Sequence, residues 1–447
     1  MVHAAVQAGG AVGAAVPARI RRRRLDLATT PGRLRLVLIA LVLLSLAWGA
    51  LAAFTAERYA SAASRVVATG EPLSLAAQQI YARLSDANDA AATAFLAGGI
   101  EPAGTRERYL ADIGGASSGI ESETAQVGSG GGSAARDLAV LAAGLPTYTQ
   151  EMGDAEANNR LALPLGAAYL REASELMRGT LLPRAKDLYA AQNASLRGTS
   201  AEATGLPLAC VTVAAGLAAG YLLYRASRWL RVRTNRVLNA GLVAAGLLTV
   251  ITLAWLAVAY LGARSDLLHA QARGSATVEA VAQAGIVVQE AHADESLTLI
   301  DNTGKDAYET DYEQQERVLG PGPGTLLTVA ADAAAGTPAA PSVAAAVSDA
   351  RAWFAAHGRL RSLDDNGNHA AAVDSALGTG PGDAGASFAR LSSDLTAAIG
   401  TDQAVFDATA PSAAGDYAGL EPAVIAAALL MAAACAWGLS RRLAEYR

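Results

Sequence analysis

The chain has 447 residues, of which 52% are apolar, 17% charged and 5% aromatic, with a formal net charge of −6. So much Ala, Leu and Val with so few rings excludes an ordinary soluble globular chain. The net charge conceals a polarised distribution, because the Arg-rich stretches and the acidic stretches occupy different parts of the chain.

Residues 1–35 form a basic tail carrying Arg21, Arg22, Arg23 and Arg24, and residues 36–54 are a long, strongly apolar run free of charge. A helix needs about 20 apolar residues to cross roughly 30 Å of hydrocarbon, so this run predicts a first span. Ala50-Leu51-Ala52 imitates a signal-peptidase site, but the basic region before the run is long and the run has a counterpart later in the chain. The run therefore reads as a retained anchor.

Residues 55–205 are polar and net acidic. Leu75, Ile80, Leu84, Ala91, Phe95 and Leu96 recur at helical spacing, and Gly98-Gly99 stops that helix. Further helices are predicted over 105–127, 134–159 and 164–198, the first of them ending at the Gly/Ser stretch 128–133. A second span covers 206–224, a basic connector 225–237, and a third span 238–261. Residues 262–422 repeat the acidic, helical character, with helices expected up to 302 and over 307–319, 326–335, 343–357, 369–377 and 387–409. A fourth span at 423–439 and a basic tail at 440–447 close the chain. The expected fold is all-α: an integral membrane protein with four transmembrane helices and two helical-bundle domains. The three Arg-rich flanks of the spans fall on the same side, so the positive-inside rule places both termini and the connector in the cytoplasm. The two bundles are then extracytoplasmic.

The order span, polar segment, span occurs twice, which predicts a tandem repeat. A shift of 206 residues lays Ile80 on Ile286, Ala87 on Ala293, Asp89 on Glu295 and Gly98 on Gly304. A helix leaving the bilayer unbroken can carry a small piston shift, which gives such a unit a mechanical use.

No Walker loop, His-Glu-x-x-His, Gly-x-Ser-x-Gly or Cys-x-x-Cys pattern occurs, and the cytoplasmic pieces are too short to fold into an enzyme. No catalytic residue, cofactor or metal is assigned. His292, Asp294 and Glu295 read as a solvated helix face rather than a metal half-site, and Cys210 and Cys435 as apolar filler in separate spans. The spans carry no charge, which argues against a transporter.

Three groups of residues are candidates for contacts. Arg225, Arg228, Trp229, Arg231, Arg233 and Arg236, with the Arg21–Arg24 cluster, form the largest inward-facing surface, suited to anionic lipid headgroups or to a cytoplasmic partner. Nucleic acid is not an expected partner. Asp301, Asp306, Tyr308, Glu309, Asp311, Tyr312 and Glu313 form an acidic, Tyr-bearing cluster that is either a solvated face or a docking surface for an extracytoplasmic partner. Gly216-x-x-x-Gly220 is a small-residue pattern for close helix packing, within the four spans or in a homodimer.

Three stretches carry a resemblance: LDLATTPGRLR at 25–35, IYARLSDANDAAATAFL at 80–96 and LSRRLAEYR at 439–447. They resemble the GlnX family of actinobacterial membrane proteins. The resemblance implies four spans, two extracytoplasmic helical domains and no enzymatic activity. It also implies a signalling adaptor that relays glutamate and glutamine status from an amino-acid-binding lipoprotein outside the cell to the soluble Ser/Thr protein kinase G inside. Two other readings stay open on the residues alone: a receptor binding a small ligand directly in its bundles, and an envelope scaffold.

Overall fold

A computed structural model describes residues 30–98, 103–127, 132–234, 239–270, 276–301, 307–415 and 419–444. Arg21–Arg24, Arg236 and Asp306 lie outside the described residues, and Arg233 is described in its backbone only. Among the described residues all regular structure is helical.

Contacts divide the chain into two units. One comprises Met1–Ala50, Ala214–Thr252 and Ile425–Arg447; the other comprises Leu51–Val213 and Leu253–Val424. Among the described residues four helices are long and apolar enough to cross a membrane, which fits a multi-pass membrane protein. They are α1 (Thr30–Arg65), α7 (Pro207–Thr234), α8 (Ala240–Ala270) and α15 (Leu420–Ala444).

In the first unit these helices turn Leu34, Leu41, Leu223, Leu230, Leu242 and Leu439 inward. Leu43, Leu217, Val250 and Leu430 on the outer faces are each more than half exposed. Such a surface is tolerated where lipid replaces water. Hydroxyls inside the set are satisfied locally: Ser45 donates to the Leu41 carbonyl and Thr249 to that of Ala245.

The closest helix approaches in this unit are made by glycines outside the expected pattern. A Cβ on Gly49 would fall 2.1 Å from the Ala428 Cβ, and one on Gly241 would fall 2.3 Å from the Ala434 carbonyl oxygen. Asn239 locks the second crossing by donating to the Gly438 carbonyl at 3.0 Å. Gly216 is buried, while a Cβ on Gly220 would meet the Thr249 methyl at an ordinary 3.9 Å. The tight contacts thus rest on Gly49, Gly241 and Gly438.

Residues 225–234, expected as part of a connector, are the last turns of α7. At 1.5 Å per residue its 28 residues extend about 42 Å, more than the hydrocarbon thickness requires, so the charged turns can project beyond it. Arg225, Arg228 and Arg231 recur every third residue and are exposed, and Trp229 is half-buried against the leucine core.

The second unit holds two bundles. The first is built from α2 (Glu71–Ala97), α3 (Ala103–Val127), α4 (Ser133–Arg160), α5 (Leu165–Leu176) and α6 (Leu182–Thr204). The second contains α9 (Ala276–Ile300), α10 (Ala307–Leu319), α11 (Leu326–Ala334), α12 (Ala340–Asp365), α13 (His369–Leu377) and α14 (Ala384–Gly415). Ile80, Leu84, Leu138, Leu141, Tyr148 and Leu188 fill the first core; Val288, Tyr312, Leu327, Trp353, Leu360 and Leu391 fill the second. Each buried leucine contributes about 2 kcal/mol of hydrophobic stabilisation.

The two bundles share α9, and its sequence shows why. Val281, Ala284, Val288 and Ala291 follow the 3-4-3 spacing of one apolar stripe and enter the second core. Ile286 and Leu297 lie on another side of the helix and enter the first. A helix apolar on two sides must be covered on both, so α9 packs on α2 as well as on its own bundle.

Two π-helical turns interrupt the first bundle, at Val66–Gly70 between α1 and α2 and at Met177–Leu181 between α5 and α6. The single helix expected over 164–198 is therefore two helices joined by a widened turn. Such turns shift the register of side chains beyond them and cluster at functional sites.

After α6 the backbone at Gly205 is extended, and the helix resumes at Pro207, which needs no N–H partner in a first turn. The freed Gly205 carbonyl accepts from Tyr59 of α1 and from Tyr260 of α8, each at 2.6 Å.

Candidate functional site: a buried charged seam and an adjoining cavity

The seam between the bundles begins with α2 and α9. Both present polar groups where their apolar stripes meet, and those groups find partners across the contact. Tyr81 donates to Glu290 at 3.2 Å, and His292 Nδ1 donates to Asp89 Oδ1 at 2.5 Å. His292 is 5% exposed, and its ring stacks on Phe388 with centroids 3.6 Å apart. Burial works against a charged imidazole, but the Asp89 carboxylate, with Glu295 behind it, outweighs burial and holds the His292 pKa above its usual value.

Arg178 sits in the second π-helical turn, from which it reaches across the seam. It lies 2.8 Å from Asp294, pairs also with Asp311, and places its guanidinium 5.3 Å from the centre of the Tyr308 ring. Burial pushes the Asp294 carboxyl up to about 7 even against the pull of Arg178. Arg171 pairs with Asp301 at 3.2 Å, and Asn193 and Arg197 both donate to Glu279, at 2.6 and 2.7 Å.

The network continues through the second bundle. His357 donates from Nδ1 to Glu295 at 2.7 Å and from Nε2 to Glu309 at 3.1 Å. Burial opposes its charged form, yet the two carboxylates raise its pKa to about 9, so the ring is an imidazolium at neutral pH. Glu309 also meets Arg361 at 3.2 Å, Arg361 meets Asp364 at 2.9 Å, and Tyr312 stacks on His357 at 3.6 Å.

Two sequence expectations change as a result. His292, Asp294 and Glu295 are buried and partnered rather than solvated. The acidic cluster is spent largely inside the protein: Asp301 and Asp311 pair with the first bundle, Tyr308 stacks under Arg178, Glu309 bridges His357 and Arg361, and Tyr312 is 1% exposed. Glu313 remains on the surface beside Arg317. A buried Tyr312 leaves no continuous Tyr-bearing face for docking.

A cavity of about 250 Å³ opens between α2, α3 and α4 of the first bundle. Ala91, Phe95, Tyr109, Ile113 and Met152 line it with apolar surface. At the rim Arg106 and Arg160 both pair with the same oxygen of Glu156, and Asn159 donates to the Phe95 carbonyl at 3.1 Å. Asp86, one turn before Ala91's neighbour Ala90 on α2, is held up to about 7 by burial and then by the Asp112 and Asp89 charges.

No curated protein and no solved structure matches the chain. Residues 62–201, which contain the cavity and the first bundle's side of the seam, match a family model described as an actinobacterial sensor domain. A sensing or signalling role is what that similarity supports.

Proposed function

We propose that the chain is a non-enzymatic transmembrane signalling adaptor, with its bundles outside the cell and both termini in the cytoplasm. In this reading it relays glutamate or glutamine status from an amino-acid-binding lipoprotein to a cytoplasmic Ser/Thr kinase, as the resemblance to the GlnX family implies. One observation carries the mechanical part. Helix is continuous from Gly32 to Ala97, so α2 extends the apolar helix α1 through a π-helical turn without a break. The same α2 lines the cavity with Ala91 and Phe95 and holds the seam with Tyr81 and Asp89. A load on the bundles that displaces α2 against α9 is passed along α1 as a shift or rotation of a few ångströms or less. The exposed Arg225, Arg228 and Arg231 stripe is the surface offered to the kinase or to anionic lipid.

The test is capture by the purified, detergent-solubilised full chain of a purified glutamate-binding lipoprotein and of the kinase, with and without glutamate. Retention of the lipoprotein that depends on glutamate supports the relay; retention of neither partner in either state sinks it.

A second reading, a receptor that binds a small ligand directly, is favoured by the cavity within the sensor-like bundle.

A further inference from the structure

We propose, resting on the sensory reading of the first bundle, that the cavity between α2, α3 and α4 is a binding site for a small, uncharged apolar molecule built on an aromatic ring. Its volume of about 250 Å³ corresponds to roughly eight waters at about 30 Å³ each. A buried water needs about two to four polar partners, and the inner wall supplies few, since Ala91, Ala94, Phe95, Ile113 and Met152 are apolar. Water held so poorly is displaced favourably by an apolar body. The ring faces of Phe95 and Tyr109 and the Met152 sulfur reward an aromatic one.

The polar side chains of the lining decide against a charged head, because they are engaged within the protein. Glu156 pairs with both Arg106 and Arg160, and Arg106 makes a further interaction beyond Glu156. Thr149 donates to the Pro146 carbonyl at 2.8 Å, Asn159 donates to the Phe95 carbonyl at 3.1 Å, and Tyr109 also has a partner. A carboxylate or an ammonium entering the cavity would give up water and find its counter-charges taken, and an unpaired buried charge is costly. A neutral body loses nothing of that kind. The same reasoning excludes L-glutamate from this cavity, so its ligand is a separate input from the amino acid of the relay.

Occupancy acts on the seam through α2. Ala91 and Phe95 face the cavity, while Asp89 on the same helix holds His292. A ring seated against Phe95 therefore bears on the helix that carries the Asp89 contact. From α4 come Met152 and Gly153. A Cβ added to Gly153 would meet no atom within 4 Å, so a larger side chain there has room and would occupy the cavity.

The test is NMR of isotope-labelled methionine methyls in the full chain, held in nanodiscs and titrated with toluene, benzoate and benzylammonium. The chain has four methionines, of which Met152 lines the cavity, Met177 lies in the core of the first bundle and Met431 lies in α15. Toluene is expected to move the Met152 signal saturably, without a parallel shift of Met431, which reports partition into the bilayer. Benzoate and benzylammonium carry the same ring with one charge of either sign, and each should bind at least about tenfold more weakly. Gly153→Leu abolishes the Met152 shift, with the Met177 signal as the check that the bundle is folded, and Arg160→Gln leaves toluene binding unchanged. The charged analogues are compared on the unmodified chain, so the test stands if Gly153→Leu fails to fold. A Met152 shift that does not saturate, that tracks Met431, that persists in a folded Gly153→Leu variant, or that benzoate or benzylammonium produces at the same concentration would overturn the proposal. No partner protein and no glutamate is present in this titration, so a negative result is separate from failure of the partner-capture test of the relay.

Discussion

Asp89 of the first bundle and His292 of the second share a buried hydrogen bond of 2.5 Å, with both side chains at about one-twentieth of full exposure. Neither group tolerates burial alone. Truncating Asp89 to Ala strands a buried imidazole, and truncating His292 to Ala strands a buried carboxylate, each at a cost of about 3–5 kcal/mol. Replacing both with Leu removes the two stranded groups together. Thermal melts of the four proteins in one detergent should give a double variant less destabilised than the sum of the singles, and by a margin beyond about 1 kcal/mol.

Titration of the buried groups gives the unit a sign-definite pH dependence. Asp86 and Asp294 sit at about 7 in the fold, against about 3.9 in an unfolded chain, so the stabilisation tied to their protonated forms is complete below about pH 4 and is lost as pH rises through 7. His357 sits at about 9, against about 6.5 unfolded, so its contribution is complete below about pH 6.5 and is lost as pH rises through 9. All three therefore weaken the fold as pH rises. The melting temperature should fall from pH 5 to pH 9.5, and His357→Gln should flatten the upper half of that fall. A midpoint that climbs over this range would contradict the assignment.

Arg178 joins Asp294, Asp311 and Tyr308, and it is delivered by the π-helical turn Met177–Leu181. Arg178→Met keeps most of the apolar stem and removes the charge. The expected outcome is faster amide hydrogen exchange in α10 and at the α2–α9 contact, with the cores around Leu138 and Trp353 left protected. Uniform loss of protection through both bundles would mean that Arg178 supports folding generally rather than the seam.

Glycine substitutions in the apolar helices should rank by the space the structure leaves them. Gly241→Ala drives a methyl into the Ala434 carbonyl and Gly438, whereas Gly220→Ala meets only the Thr249 methyl at 3.9 Å. Gly241→Ala should lower the melting temperature of the detergent-solubilised chain by several degrees, as overpacking typically costs about 1–3 kcal/mol. Gly220→Ala should be near neutral.

Helix ends were legible where the chain provides a physical stop. Gly98 ends α2 at a φ of +66°, a conformation that glycine adopts without strain, whereas α12, expected to end at 357, continues to Asp365 and stops before Gly367 at φ +80°. The four spans were legible because length and lack of charge suffice to define them. The seam was not, because a single sequence shows an apolar stripe but not what lies opposite it. Asp294 between His292 and Glu295 looks like a solvated face until Ile286 and Leu297 are seen to be a second stripe that another helix must cover. Gly216 and Gly220 have the spacing of a local packing pattern, while the contacts at Gly49, Gly241 and Gly438 come from helices far apart in the chain, which no local pattern relates. The cavity has no local sequence signature, because Arg106 and Glu156 at its rim are 50 residues apart.

The relay is tested most directly by recruitment of the purified kinase to nanodiscs holding the full chain, measured with the glutamate-binding lipoprotein present and glutamate added or withheld. Recruitment should change with glutamate, and Gln in place of Arg225, Arg228 and Arg231 should abolish it. Recruitment that is the same with and without glutamate, or that survives loss of the arginine stripe, would contradict it.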